Sequence, residues 1–105
     1  MSTAGQSGRL LVGPVMRRGE LAEAVAEAVR EDNPGREVHI EEHTSYVRIH
    51  TPNECLIRRD TVERMLGRRF EMQEIELNMS AFSGQIETGD DHMRFFLYTK
   101  PSDAA

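Results

Sequence analysis

Cysteine is nearly absent from this chain: Cys55 stands alone among 105 residues. No intrachain disulfide is available, and no cysteine-based zinc or iron–sulfur site can form within one chain, which removes several redox classes. Long apolar runs are missing as well, none approaching the ~20 residues that a membrane span needs. Residues 1–8 are small and polar, without the basic-then-apolar order of a secretory signal, so a cytoplasmic location is expected. Basic residues are not concentrated either. They occur as scattered pairs (Arg17-Arg18, Arg58-Arg59, Arg68-Arg69) in a chain of net charge −5, so nucleic acid is not an expected partner, whereas a basic protein surface is compatible.

What is present is an α+β pattern of a size that makes one core. Leu10, Leu11, Val12 and Val15 surround Gly13-Pro14, and the proline predicts an edge strand or an extended entry because it cannot donate to a ladder. From Glu20 the spacing turns helical. Leu21, Val25, Ala28 and Val29 form one stripe flanked by Ala22 and Ala26, and Asn33-Pro34-Gly35 supplies the stop. Val38 and Ile40, then Val47 and Ile49, alternate with polar residues as in a hairpin, and Cys55-Leu56-Ile57 reads as a short strand. Asp60 with Glu63 resembles a capping box opening a second helix that Gly67 ends. Ile75, Leu77 and Met79 alternate as a strand; Phe82, Gly84 and Ile86 make another, and Met93, Phe95 and Leu97 the last. The expected organisation is a flexible tail over residues 1–8, one domain over 9–98 with lobes of about 9–51 and 54–98, and a flexible tail over 99–105. Two helices pack on a largely antiparallel sheet in a loose βαββ-type duplication.

Catalytic chemistry finds little support. His39, His43, His50 and His92 are the obvious ligands or bases, yet no third metal ligand is fixed near any pair. Asp90-Asp91-His92 is compatible with proton transfer, but the favoured reading is a turn with two turn-forming aspartates. No serine has a His-Asp frame at recognisable spacing, and no glycine-rich phosphate loop is present. Met65, Met72, Met79 and Met93 follow the element periodicities as core residues. Residues 70–86 carry no catalytic group, but small residues (Asn78, Ser80, Ala81, Ser83, Gly84) lie there beside Met79 and Phe82, a composition suited to a protein-binding edge or to tight packing between strands.

Val12-Gly13-Pro14, Asp32-Asn33-Pro34-Gly35, Tyr46-Val47-Arg48-Ile49, Gly67-Arg68-Arg69-Phe70 and residues 72–86, in that order, resemble the effector (coupling or regulatory) proteins of soluble diiron multicomponent monooxygenases, most closely the toluene monooxygenase subgroup. The resemblance covers roughly residues 10–98. It implies the monooxygenase effector fold and a cofactor-free, non-catalytic protein, monomeric when free. Such a protein binds the diiron hydroxylase and tunes its turnover and coupling, with ferredoxin and reductase competing for that surface. Asn78 and Ser80 match a hydroxylase-contacting segment of the methane branch, while Ala81 and Phe82 depart toward a more apolar contact. The hydroxylase-binding residues so implied are Asn33, Pro34, Gly35, Asn78, Met79, Ser80, Ala81, Phe82 and Gln85. Two other functions remain compatible with the residues alone: a small-ligand-sensing α+β module, and a small dimeric α+β enzyme using His92 and Asp91.

Overall fold

Strand alternation and helical spacing divide residues 10–97, the part described by this computed structural model, into seven strands and three helices. The expected tails, residues 1–8 and 99–105, lie outside the described residues, as does Tyr98 at the end of the last predicted strand. The order is β1 (Leu11–Arg17), α1 (Glu20–Asp32), β2 (His39–Glu42), β3 (Tyr46–Pro52), β4 (Glu54–Arg58), α2 (Arg59–Leu66), α3 (Gln73–Leu77), β5 (Met79–Ser83), β6 (Gln85–Thr88) and β7 (His92–Phe96).

Two antiparallel sheets result, one ordered β2-β3-β1-β5 and the other β4-β7-β6. The duplication is visible in these orders. A strand, a helix and a hairpin give β2-β3-β1 in the first half, and β4, α2 and the β6-β7 hairpin give β6-β7-β4 in the second. Strand β5 belongs to neither repeat: it leaves the second half of the chain and pairs with β1, so the two lobes share a sheet. α1 packs on α2 and β4. Its alanine-rich face, with Ala22, Ala24, Val25, Ala26, Ala28 and Val29 buried, lets the helix lie close to the strands. Phe70, Ile57, Met93 and Phe95 complete a core that reaches through both sheets.

Three sequence expectations are corrected. β1 is central rather than an edge, because the ladder to β3 skips Gly13 and Pro14 while the ladder to β5 runs through both; the missing proline N–H falls at the interruption. Gly13 has φ 144°, and a Cβ there would lie 2.1 Å from the Ile49 carbonyl oxygen. Residues 73–77 form a helix, not a strand: Met72 and Ile75 bury at a helical three-residue spacing, and Leu77 swings out to 78% exposure. The third correction concerns α2, whose N-cap is Arg58 with no side-chain cap of its own. Instead the Asp32 carboxylate, from the end of α1, accepts from the Arg58 N–H at 2.8 Å and the Thr61 hydroxyl at 2.7 Å. Glu63 turns the other way and accepts from the Phe70 N–H.

Next to Asp32, the buried Asn33 carboxamide behaves like a strand peptide. Its Oδ1 accepts from the Leu56 N–H at 2.9 Å, and its Nδ2 donates to the Leu56 carbonyl at 2.9 Å and to Val29 O at 2.8 Å. Removing it strands both backbone groups of Leu56, each with a desolvation penalty. Asn33→Ala should therefore lose about 2–4 kcal/mol in urea denaturation, and Gly13→Ala about 3 kcal/mol or more from overpacking and a disfavoured φ. A change under 1 kcal/mol in either would contradict these assignments.

Candidate functional site

The α3–β5–β6 segment is held from several sides. Asn78 closes α3: its N–H reaches Ile75 O at 3.0 Å and its Nδ2 reaches Glu74 O at 2.9 Å, while its own carbonyl accepts from the Arg17 N–H at 2.7 Å. Arg68 pairs with Glu74 at 3.2 Å and holds that carboxyl below the usual carboxylate range, fixing the outer side of α3. Along β5 the register with β1 runs Ser83–Gly13, Phe82–Pro14 and Ala81–Val15, then shifts so that Met79 faces Met16. Ser80 is the extra residue of this bulge, its hydroxyl 3.4 Å from Val15 O.

The bulge sorts the predicted contact residues. Met79 is half-buried against the core; Ser80, Ala81 and Gln85 are exposed. Phe82 is 44% exposed, with its ring 5.9 Å from that of the buried Phe95. At Gly84, φ is 94° and a Cβ would meet Phe96 O and Val12 Cγ1 at 2.8 Å, so only glycine lets the chain pass from one sheet to the other here. β5 lies at the edge of its sheet, and its outer side is unpaired among the described residues.

The predicted Asn33-Pro34-Gly35 contact lies elsewhere. Pro34 and Gly35 are exposed, but Asn33 is 5% exposed and its side chain is spent on Leu56 and Val29. This loop sits by the Pro52 end of β3, through Arg36 to Pro52 O at 2.8 Å, opposite Leu11. Met79 faces Met16, five residues along β1 and about 17 Å away at strand rise. The two groups are therefore at opposite ends of one sheet. Leu77, by contrast, went unnoticed in the strand alternation. The signal that finds it is the Met72–Ile75 spacing, which sets a helical period and turns Leu77 outward beside Asn78.

The remaining chemistry is sparse. Burial pushes the Cys55 thiol up to about 12, so it holds no reactive thiolate. Asp91 Oδ1 and His92 Nδ1 meet at 3.0 Å, and this contact lowers the Asp91 carboxyl; the pair borders an open cleft of about 230 Å3 with Asp91 77% exposed. No cluster of three or more metal-ligating side chains occurs among the described residues.

The sequence of residues 10–96 matches the model of the MmoB/DmpM family. The chain belongs to that family. It is 50% identical to the effector subunit of the alkene monooxygenase system of Xanthobacter autotrophicus over 86 residues, 82% of this chain and 85% of the relative. It is 35% identical to the stimulatory component DmpM of the phenol 2-monooxygenase of a Pseudomonas species over 79 residues, 75% of this chain and 83% of that one. Its fold superposes on a chain from the complex of phenol hydroxylase with its regulatory protein at a TM-score of 0.73 and 30% identity, covering 85% of this chain and all of the other. Regulatory protein B of soluble methane monooxygenase shares the fold, with a TM-score of 0.63 at 17% identity over 84% of this chain and 65% of that one. The resemblance read from the sequence is thus borne out at the level of family and fold. Within the MmoB/DmpM frame of this chain, β5 is the strand added outside the repeat.

His50 gives this member a pH-dependent stability. It is 5% exposed, wedged against Gly13 where the β1–β3 ladder is interrupted, and its Nε2 has no partner. Burial first, then the Arg48 guanidinium, lowers its proton affinity below the ordinary 6.5. The unfolded chain therefore binds a proton that the fold rejects. The stability that a neutral His50 contributes is fully present above about pH 6.5 and falls away as the pH drops below it. Melting temperatures measured from pH 7.5 down to 5.5 should fall in the natural protein and fall less in His50→Gln; parallel curves would contradict this. Leu77→Ser, at an exposed site, should change stability by no more than about 0.5 kcal/mol in the same assay.

Proposed function

We propose that this protein is the non-catalytic effector of a soluble diiron monooxygenase, binding the hydroxylase of an alkene or aromatic system and tuning its turnover and coupling. The carrying observation is the family match over residues 10–96, with half of the aligned residues shared with an alkene monooxygenase effector subunit. The site fits this reading. The end of α3 and an edge strand held by Asn78 and the bulge present Leu77, Ala81 and Phe82 outward, with Ser80 and, from β6, Gln85 beside them, a mixture of apolar anchors and polar contacts without a metal cluster among the described residues. Asn78 and Met79 lie in the same contact as its framework. Pro34 and Gly35, with Asn33 shaping their loop from beneath, form a second and separate contact.

The effect on oxygen chemistry is exerted at a distance. A protein that binds one hydroxylase conformation more tightly than another shifts the population toward it, and by linkage the state of the hydroxylase alters the effector's affinity by the same factor. Ferredoxin and reductase alternate with the effector on the hydroxylase surface. The protein acts as a monomer in the cytoplasm; no described helix is long and apolar enough to cross a membrane.

Adding the protein to alkene- or aromatic-type hydroxylase with its reductase and ferredoxin should raise product formed per NADH consumed, and the protein alone should turn over nothing. Unchanged rate, coupling and regiospecificity across such hydroxylases would sink the proposal. Met79→Ala with Phe82→Ala, and separately Leu77→Ser, should each weaken stimulation about tenfold or more, the loss of roughly 1.4 kcal/mol that a central apolar contact typically carries. Full stimulation by both variants would move the contact away from β5.

A further inference from the structure

α1 leans toward α2 and β4, and this leaves the β2–β3 end of the first sheet incompletely covered. The result is a groove of about 360 Å3 between helix and hairpin. Its floor is apolar and low: Ala22 and Ala26 from the helix, Ile40 and Val47 from the strands. Its rim is acidic, with Glu23, Glu27 and Glu42 against one cation, Arg30. Arg30 is already paired with Glu27 at 3.0 Å, and Glu42 is reached by Arg18 at 3.4 Å, whereas Glu23 has no ion pair among the described residues. The cleft thus presents surplus negative charge above a hydrocarbon floor.

Its position ties it to the β5 contact. Glu42 lies opposite Val47, Val47 opposite Met16, and Met16 opposite Met79, so one row crosses all four strands of the sheet. Val47 and Met79 are two strand spacings apart, about 10 Å. A single protein footprint of about 800 Å2 per partner covers both.

We infer that this groove receives a basic amphipathic segment of the hydroxylase, whose lysine or arginine stems lie along Ile40 and the edges of Ala26 and Val47 while their charged ends meet Glu23, Glu27 and Glu42. This rests on the effector reading above and extends its contact from β5 across the sheet to α1. Small alanines admit the stems, which carry apolar length below a charged head, and the acidic rim speeds encounter in a salt-dependent way. A second copy of this chain is a poorer match, since its own groove has the same sign.

The test titrates the hydroxylase with the full chain carrying Glu23→Lys and Glu27→Lys, with Asp90→Lys in the β6–β7 turn as a charge control whose net change equals that of the glutamine pair below. The expected result is at least a tenfold weaker Kd for the double variant at low ionic strength, shrinking toward the natural value as salt is raised, and less than a twofold change for Asp90→Lys. Glu23→Gln with Glu27→Gln should show a several-fold loss, and it is the variant to read if the lysine pair does not fold. Natural affinity in the glutamine and lysine pairs overturns the inference. So does an equal loss in Asp90→Lys, and so does a loss confined to ferredoxin or reductase binding. In all three of these cases the unmodified protein still binds and stimulates the hydroxylase, so the effector reading stands; if the unmodified protein does neither, both fall together.

Discussion

Everything on the functional side of this molecule depends on a two-residue joint. Asp32 and Asn33 end one helix, and between them their side chains start the next helix and finish the edge of a strand. The carboxylate takes two donors at the mouth of α2, where the helix dipole also favours negative charge. The carboxamide gives β4 the peptide-like partner that no neighbouring strand supplies on that side. Four of these five bonds span 23–29 residues of sequence, so they fasten one repeat to the other rather than stiffening a local turn. Once the halves are fixed, β5 has a defined place to cross, and the exposed side chains around it are carried on a rigid frame.

Legibility in the sequence followed how local each signal was. Helix α1, the β2–β3 hairpin and β7 were readable because their apolar spacing decides them alone, and Gly67 ends α2 as expected with its N–H on Glu63 O. Pro14 misled because an edge position is only one way to accommodate a missing donor; a skipped pair inside a central strand is another. Residues 73–77 misled because Ile75-Glu-Leu77-Asn-Met79 alternates in polarity as well as any strand, and only the earlier Met72 breaks the tie. The capping of α2 was beyond local reading, since its acceptor comes from residue 32. Of the predicted contact residues, those of β5 and β6 come together on one exposed segment; Asn33 is enclosed and its loop stands at the far end of the sheet. Leu77 was hidden by the same alternation that concealed α3.

A duplicated βαββ plan would be complete without β5. The additional strand, the residues most unlike a repeat, carries the exposed Phe82 close in sequence to the exposed Leu77, and the polar pairs around it carry little reactive chemistry. On the proposed reading the effect on oxidation is exerted by selecting among the partner's shapes, and selection needs stiffness more than it needs functional groups. The ion pair of Arg68 with Glu74 and the closure of α3 by Asn78 provide that stiffness in the part of the molecule that would otherwise be a loop.

The irregularity at Ser80 has a consequence for how the protein behaves among its own copies. A straight edge strand carrying a methionine and a phenylalanine is a template on which an identical strand can lay itself, the first step toward edge-to-edge aggregation. One unmatched residue twists that edge and puts its hydrogen-bonding groups out of step with any regular strand. Such an edge is a poor match for a copy of itself, while its side chains stay exposed on the side where the proposed contact lies.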